Sequence, residues 1–223
     1  MTTAKRVRAQ SPKAFYDGLV AELDERRAAI APARRSFGPP RPLSRTELIE
    51  WLAFQAWYER EAAGFIGSWL DDAVGEPEAF QGLARQVSDE ARHYRLFERH
   101  LESLGGALDG WVPEPEWVAW VHDFYRSGKD TIERVAAHNV AGELGAMQAF
   151  ESLMPRVPEA TRRLLRKVMP DERFHAQLGR AVVMRHAVTA EAQARVRRRV
   201  LRTFALEQAG RAAYERRVAR LAG

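Results

Sequence analysis

Apolar residues recur along this chain every three or four positions, the spacing that gives a helix one buried face, and no stretch alternates with the period of a strand. Ser11 followed by Pro12 is a cap with a first-turn proline, and predicts a helix from Pro12 to about Ile30 with Phe15, Leu19, Leu23 and Ile30 on one stripe. Phe37-Gly38-Pro39-Pro40-Arg41-Pro42 breaks the period and reads as an extended connector. Ser44-Arg45-Thr46-Glu47 has the spacing of a capping box and opens a helix from about Arg45 to Ala73. Gly75-Glu76-Pro77 closes it and starts another, which runs to Leu104 before the Gly105-Gly106 stop. After a loop from Gly105 to Pro115, a short helical segment is expected at Trp117 to Tyr125, and a longer helix from about Asp130 to Met154. Pro155 and Pro158 precede a helix carrying Leu164, Leu165, Val168, Val182 and Val183 in phase. Pro170 inside it predicts a kink or a break between Val168 and Asp171. Thr189 to Leu221 forms the last helix. The expected fold is all-α: one domain over 1–223, a four-helix core at 44–187, and accessory helices at 11–30 and 189–221.

Four of these apolar stripes are interrupted by a glutamate. Leu48, Leu52, Gln55, Ala62, Ile66 and Leu70 enclose Glu59; Leu83, Val87, Tyr94, Phe97 and Leu101 enclose Glu90; Ile132, Ala136, Val140, Met147 and Phe150 enclose Glu143; and Glu172 falls in the stripe of the following helix. Glu90 and Glu172 each belong to an Asp-Glu-x-x-His run, Asp89 to His93 and Asp171 to His175, in which i and i+3 share a helix face. The chain also repeats itself. Glu59 precedes Glu90 by 31 residues and Glu143 precedes Glu172 by 29, with the halves offset by 84 and 82. Glu61 competes with Glu59, since it lies on the largely apolar line Trp51, Phe54, Tyr58, Glu61, Phe65. Aligning the halves favours Glu59: it shares with Glu143 a carboxamide four residues before (Gln55, Asn139) and an alanine three residues after (Ala62, Ala146).

Composition narrows the chemistry these residues can do. The chain has no cysteine, so disulfides, thiolate metal sites and a cysteine nucleophile are excluded, and any transition metal is held by nitrogen and oxygen. Four glutamates and two histidines in one bundle core are the ligand set of di-iron and di-manganese carboxylate proteins, and four carboxylates neutralise two divalent ions. In such a site Glu90 and Glu172 can bridge the metals, Glu59 and Glu143 each cap one, and His93 and His175 each bind one. Asp89 and Asp171 are placed to accept a hydrogen bond from a ligating imidazole and fix its tautomer. His100, His138 and His186 match nothing in the repeat and read as surface or interface histidines; Trp57, Tyr58 and Tyr94 read as core aromatics. The N-terminus from Met1 to Pro12 has no apolar run and no later segment suits a membrane span, so a soluble cytoplasmic protein is expected. The net charge of +5 and the run Arg195, Arg197-Arg198-Arg199 would suit a polyanion, but a solvated helix face is the preferred reading.

At these motifs the sequence resembles the ferritin-like non-haem di-iron carboxylate superfamily over about Ser44 to His186. Tyr58-Glu59-Arg60-Glu61-Ala62 looks like the first-helix run of aldehyde-deformylating oxygenases, in which the first glutamate is the ligand, and Asp171-Glu172-Arg173-Phe174-His175 with Gly179 is similar to their fourth-helix motif. The resemblance implies that Glu59, Glu90, His93, Glu143, Glu172 and His175 bind two iron ions, or an Fe/Mn or Mn/Mn pair. It further implies a monooxygenase or oxidase that uses O2 as co-substrate on a small or carrier-bound molecule, with electrons from an external reductase or ferredoxin. A homodimer fits this reading. A tRNA-modifying hydroxylase of the same superfamily and an iron-storage or peroxide-detoxifying protein are the alternatives.

Overall fold

In a computed structural model, residues 8–35 and 41–222 are described; most of the predicted connector, Phe37 to Pro40, lies outside them, as does the N-terminal segment before Arg8. All regular structure among the described residues is helical. The elements are α1 (Pro12–Arg35), α2 (Arg45–Gly67), the short α3 (Leu70–Ala73), α4 (Pro77–Ser103), α5 (Pro115–Trp117) continued by a π segment (Val118–Phe124), α6 (Thr131–Val135), a second π segment (Ala136–Gly142), α7 (Glu143–Leu153) ending in a 3₁₀ turn (Met154–Arg156), α8 (Glu159–His186) and α9 (Ala190–Ala222).

The predicted capping box at α2 is formed: Ser44 Oγ accepts from the Glu47 amide at 3.2 Å, and Glu47 accepts from the Ser44 amide at 2.7 Å. Arg41 donates twice to the same carboxylate, at 2.6 and 2.7 Å. Contrary to expectation, α2 does not run on to Ala73. It ends at Gly67, where the Ser68 hydroxyl takes the Phe65 carbonyl at 2.6 Å and the Trp69 amide bonds three residues back to Ile66. Of the kink or break expected at Pro170, the break is absent: α8 is helical throughout. Pro170 and Arg166 are both exposed, so the carbonyl deprived of its donor lies on the hydrated side of the helix, where water can serve it.

Three apolar clusters hold these helices together. One gathers Trp57, Phe65, Ile66, Trp69, Leu83, Trp117, Val121, Tyr125 and Val182. Another gathers Leu48, Leu52, Phe97, Leu101, Phe150, Leu153, Leu165 and Val168. Along α2, α4 and α8 the two clusters occupy opposite stretches, and the predicted acidic residues fall between them. A third cluster fastens α1 and α9 across the outside, through Phe15, Leu19, Leu23, Val196, Val200 and Phe204 packed on Ile132, Val140 and Val183. The accessory helices thus cover the π segment and α8, and each fully buried aliphatic side chain in this layer contributes roughly 1.5–3 kcal/mol. The arginines of α9 are largely committed within the molecule: Arg195 to Asp130 at 2.8 Å, Arg197 to Glu22 at 2.6 Å, and Arg199 to the Phe124 carbonyl at 3.1 Å. No helix among the described residues is long and apolar enough to cross a membrane.

Candidate metal centre

Glu59 from α2, Glu90 and His93 from α4, Glu143 from the first turn of α7, and Glu172 and His175 from α8 all point into one buried space. Two sets of donor atoms, Glu59–Glu90–His93–Glu172 and Glu90–Glu143–Glu172–His175, each lie within 4.8 Å of one another. Glu90 and Glu172 belong to both. Their oxygens are divided between the imidazoles: Glu90 Oε2 lies 3.4 Å from His93 Nδ1 and Oε1 lies 3.4 Å from His175 Nδ1, while Glu172 Oε1 and Oε2 lie 3.4 and 3.1 Å from the same two nitrogens. Glu59 approaches only His93, at 4.0 Å, and Glu143 only His175 of the pair, at 3.5 Å. Glu61 stays outside the cluster, beside Arg60 and Arg126.

The two motif aspartates cross over. Asp171 Oδ2 lies 3.3 Å from Nε2 of His93, the histidine of the other motif, and Asp89 Oδ2 lies 3.4 Å from Nε2 of His175. Each carboxylate holds the outer nitrogen of an imidazole, which leaves Nδ1 to face the glutamates. Arg92 donates to both aspartates at 2.8 Å, tying the two Asp-Glu-x-x-His runs together from outside.

The electrostatics of the cluster are compatible with a bound cation. Burial, together with the neighbouring Glu90 and Glu172 charges, drives the Glu59 carboxyl well above its ordinary range; burial and the Glu172 charge do the same to Glu143. Burial opposes charge on His175, but the Glu90 carboxylate and the contacts with Glu143 and Glu172 push it up to about 12. Burial also opposes charge on Glu90, yet His175 and His93 hold it below the usual carboxylate range. Four buried carboxylates face two imidazoles, an excess of anion that a hard or borderline cation relieves. His93 Nδ1 is buried with no hydrogen-bond partner and faces three carboxylates, the position of a nitrogen that donates its lone pair to a metal. The donor set fits a pair of divalent ions.

Three further polar residues complete the centre. Gln86, fully buried, donates to Glu90 Oε1 at 2.9 Å and Glu143 Oε1 at 2.8 Å, and receives a 2.6 Å hydrogen bond from Asn139, which also donates to the His175 carbonyl at 3.1 Å. His138, expected at the surface or an interface, is instead wholly buried within the chain. Its Nδ1 lies 3.3 Å from Glu143 Oε1 and its Nε2 3.2 Å from the Tyr58 hydroxyl, and burial lowers its pKa to about 4, so the ring is neutral. The backbone explains the correction. The Glu143 amide bonds to the His138 carbonyl five residues back, the bond of a π turn, which stacks His138 beneath Glu143 rather than turning it away. His100 pairs with Thr161 at 2.8 Å and His186 with Glu76 at 2.5 Å, both away from the cluster and only partly covered. Trp57 and Tyr58 are core aromatics; Tyr94 is half-buried, its hydroxyl on Glu98. No protein-family model matches this sequence, and no curated protein matches it significantly.

Proposed function

We propose that the chain is a ferritin-like di-metal carboxylate protein, binding two iron ions, or an iron and manganese pair, and oxidising a small or carrier-bound organic substrate with dioxygen. The observation that carries this reading is the division of the Glu90 and Glu172 oxygens between His93 and His175, with Glu59 and Glu143 each held to one side. In that arrangement Glu90 and Glu172 would serve both ions, while Glu59 with His93 and Glu143 with His175 would hold one each. When bound, a pair of redox-active ions supplies the electrons that activate dioxygen.

The protein's own groups then have definable tasks. With metal bound, Asp171 and Asp89 would hold the outer nitrogens of His93 and His175 and leave each Nδ1 to the ions. Gln86 restrains Glu90 and Glu143 with its amide protons, and Asn139 restrains Gln86. The Tyr58 hydroxyl and the neutral His138 ring form a hydrogen-bonded pair beside Glu143, positioned to hold a proton at the edge of the centre. The surrounding aromatics Phe65, Trp69 and Tyr125, all packed on the His138 ring, exclude water from that side. The reading requires an external reductase or ferredoxin as electron source. Arg195, Arg197 and Arg199 of α9 are paired internally, which weighs for a small or carrier-bound substrate over tRNA. The test is to load the protein anaerobically with ferrous iron, mix it with dioxygen, and follow oxygen consumption and absorbance. Rapid uptake is expected in the wild type and loss of at least two orders of magnitude in Glu143→Ala. Iron binding without oxygen reactivity would contradict the oxidase reading.

A further inference from the structure

At the surface between α1, α7 and α8 lies an open groove of about 250 Å³. Tyr16, Leu144, Met147 and Ala176 form its apolar wall, and Arg173 and Arg180 its cationic rim. Leu144 follows Glu143 and Met147 lies one turn beyond it; Arg173 and Ala176 follow Glu172 and His175. The groove is therefore built on the same turns of α7 and α8 that carry half of the candidate ligands. Neither Arg173 nor Arg180 has an ion pair or hydrogen bond among the described residues; Arg180 stands 5.8 Å from the Tyr16 ring and Arg173 is exposed. This contrasts with Arg85 and Arg92 on the opposite flank, which are tied to Asp89 and Asp171.

We infer that this groove binds a small amphiphile with one carboxylate head and a short apolar body, the head on Arg173 and Arg180 and the body against Leu144, Met147 and Tyr16. Two guanidinium groups recognise a carboxylate by charge-assisted hydrogen bonds, and the apolar wall gains from covering a hydrocarbon. The size of the groove suits a short chain. Naming it the substrate site rests on the di-metal reading; the binding itself does not.

Isothermal titration calorimetry with octanoate, and with octan-1-ol as the uncharged control, tests the inference. Octanoate should bind saturably and roughly tenfold or more tighter than the alcohol, since one good charged contact is worth that factor. The Arg173→Gln/Arg180→Gln variant should lose about that tenfold while its thermal midpoint is unchanged, because both side chains are exposed and unpaired. Met147→Trp, which fills the groove, should abolish binding. Equal affinities for acid and alcohol, or octanoate binding indifferent to all these substitutions, would overturn the inference. Absence of octanoate binding in a preparation that takes up two metal ions removes the ligand and leaves the metal reading standing. Octanoate binding to protein that takes up no metal keeps the groove and removes its role as a substrate site.

Discussion

Glu59 is 3 % exposed, close to two other carboxylates and no cation nearer than the His93 ring. Such a group costs stability until a metal neutralises it. Replacing it by an isosteric amide should therefore stabilise the metal-free protein by about 1 kcal/mol or more, measured by urea unfolding in the presence of chelator, while lowering metal stoichiometry. A destabilised metal-free Glu59→Gln would mean that the carboxylate serves the fold. Glu47 presents the reverse case. Hydrogen bonding to Arg41, against some desolvation and with help from Ser44, holds its pKa at about 2, below its ordinary value of 4.5. Its folded form is thus favoured by charge above pH 4.5, and that contribution fades as pH falls toward 2. The thermal midpoint of the wild type should exceed that of Glu47→Gln near pH 6, with the gap closing by about pH 2; a gap independent of pH would refute the assignment. Ser44→Ala, which removes the other half of the same cap, should cost about 1 kcal/mol.

Among the helices, the one irregularity that matters is the π segment before α7. An α-helix of 3.6 residues per turn would rotate His138 well away from Glu143, and that is why the regular stripe Ile132, Ala136, Val140, Glu143 gave no hint of it. The wider π turn brings it back, and periodicity alone cannot announce a π turn. The clustered glutamates were legible because each is a charge set in an apolar line, where burial without a partner is too costly to be incidental. Gln86 escaped the sequence reading although a signal for it was there: it precedes Glu90 by four residues, the offset at which Gln55 and Asn139 precede Glu59 and Glu143. Pro170 does not break α8 because the cost of a helical proline depends on whether its orphaned carbonyl can reach water. Close packing of α8 on the π segment depends on Gly179, where an added Cβ would stand 2.7 Å from Asn139 Cβ and 2.9 Å from its carbonyl carbon. Gly179→Ala must push the helices apart, at an expected cost of about 1–3 kcal/mol. It should also disturb the Asn139–Gln86 contact and so weaken metal binding. Unchanged stability and metal affinity would show that the approach is less tight.

At the scale of the molecule, the two Asp-Glu-x-x-His helices face each other with their aspartates exchanged, and Arg92 bridges them. The internal repeat therefore reappears as an approximate symmetry of the centre, with each half lending its aspartate to the other half's histidine. Spacing along the chain implied a duplicated ligand set; the exchange of aspartates depends on how the helices pair in space, which spacing does not encode. The α1 and α9 helices stand outside the repeat and seal the π segment, so their apolar faces were legible while their location was not. The measurement that bears most directly on the central claim is anomalous diffraction, at the iron edge, from crystals of iron-loaded protein. Two peaks roughly 3.5–4 Å apart are expected, with Glu90 and Glu172 between them, Glu59 and His93 on one, and Glu143 and His175 on the other. A single peak, or none within the cluster, would contradict the account.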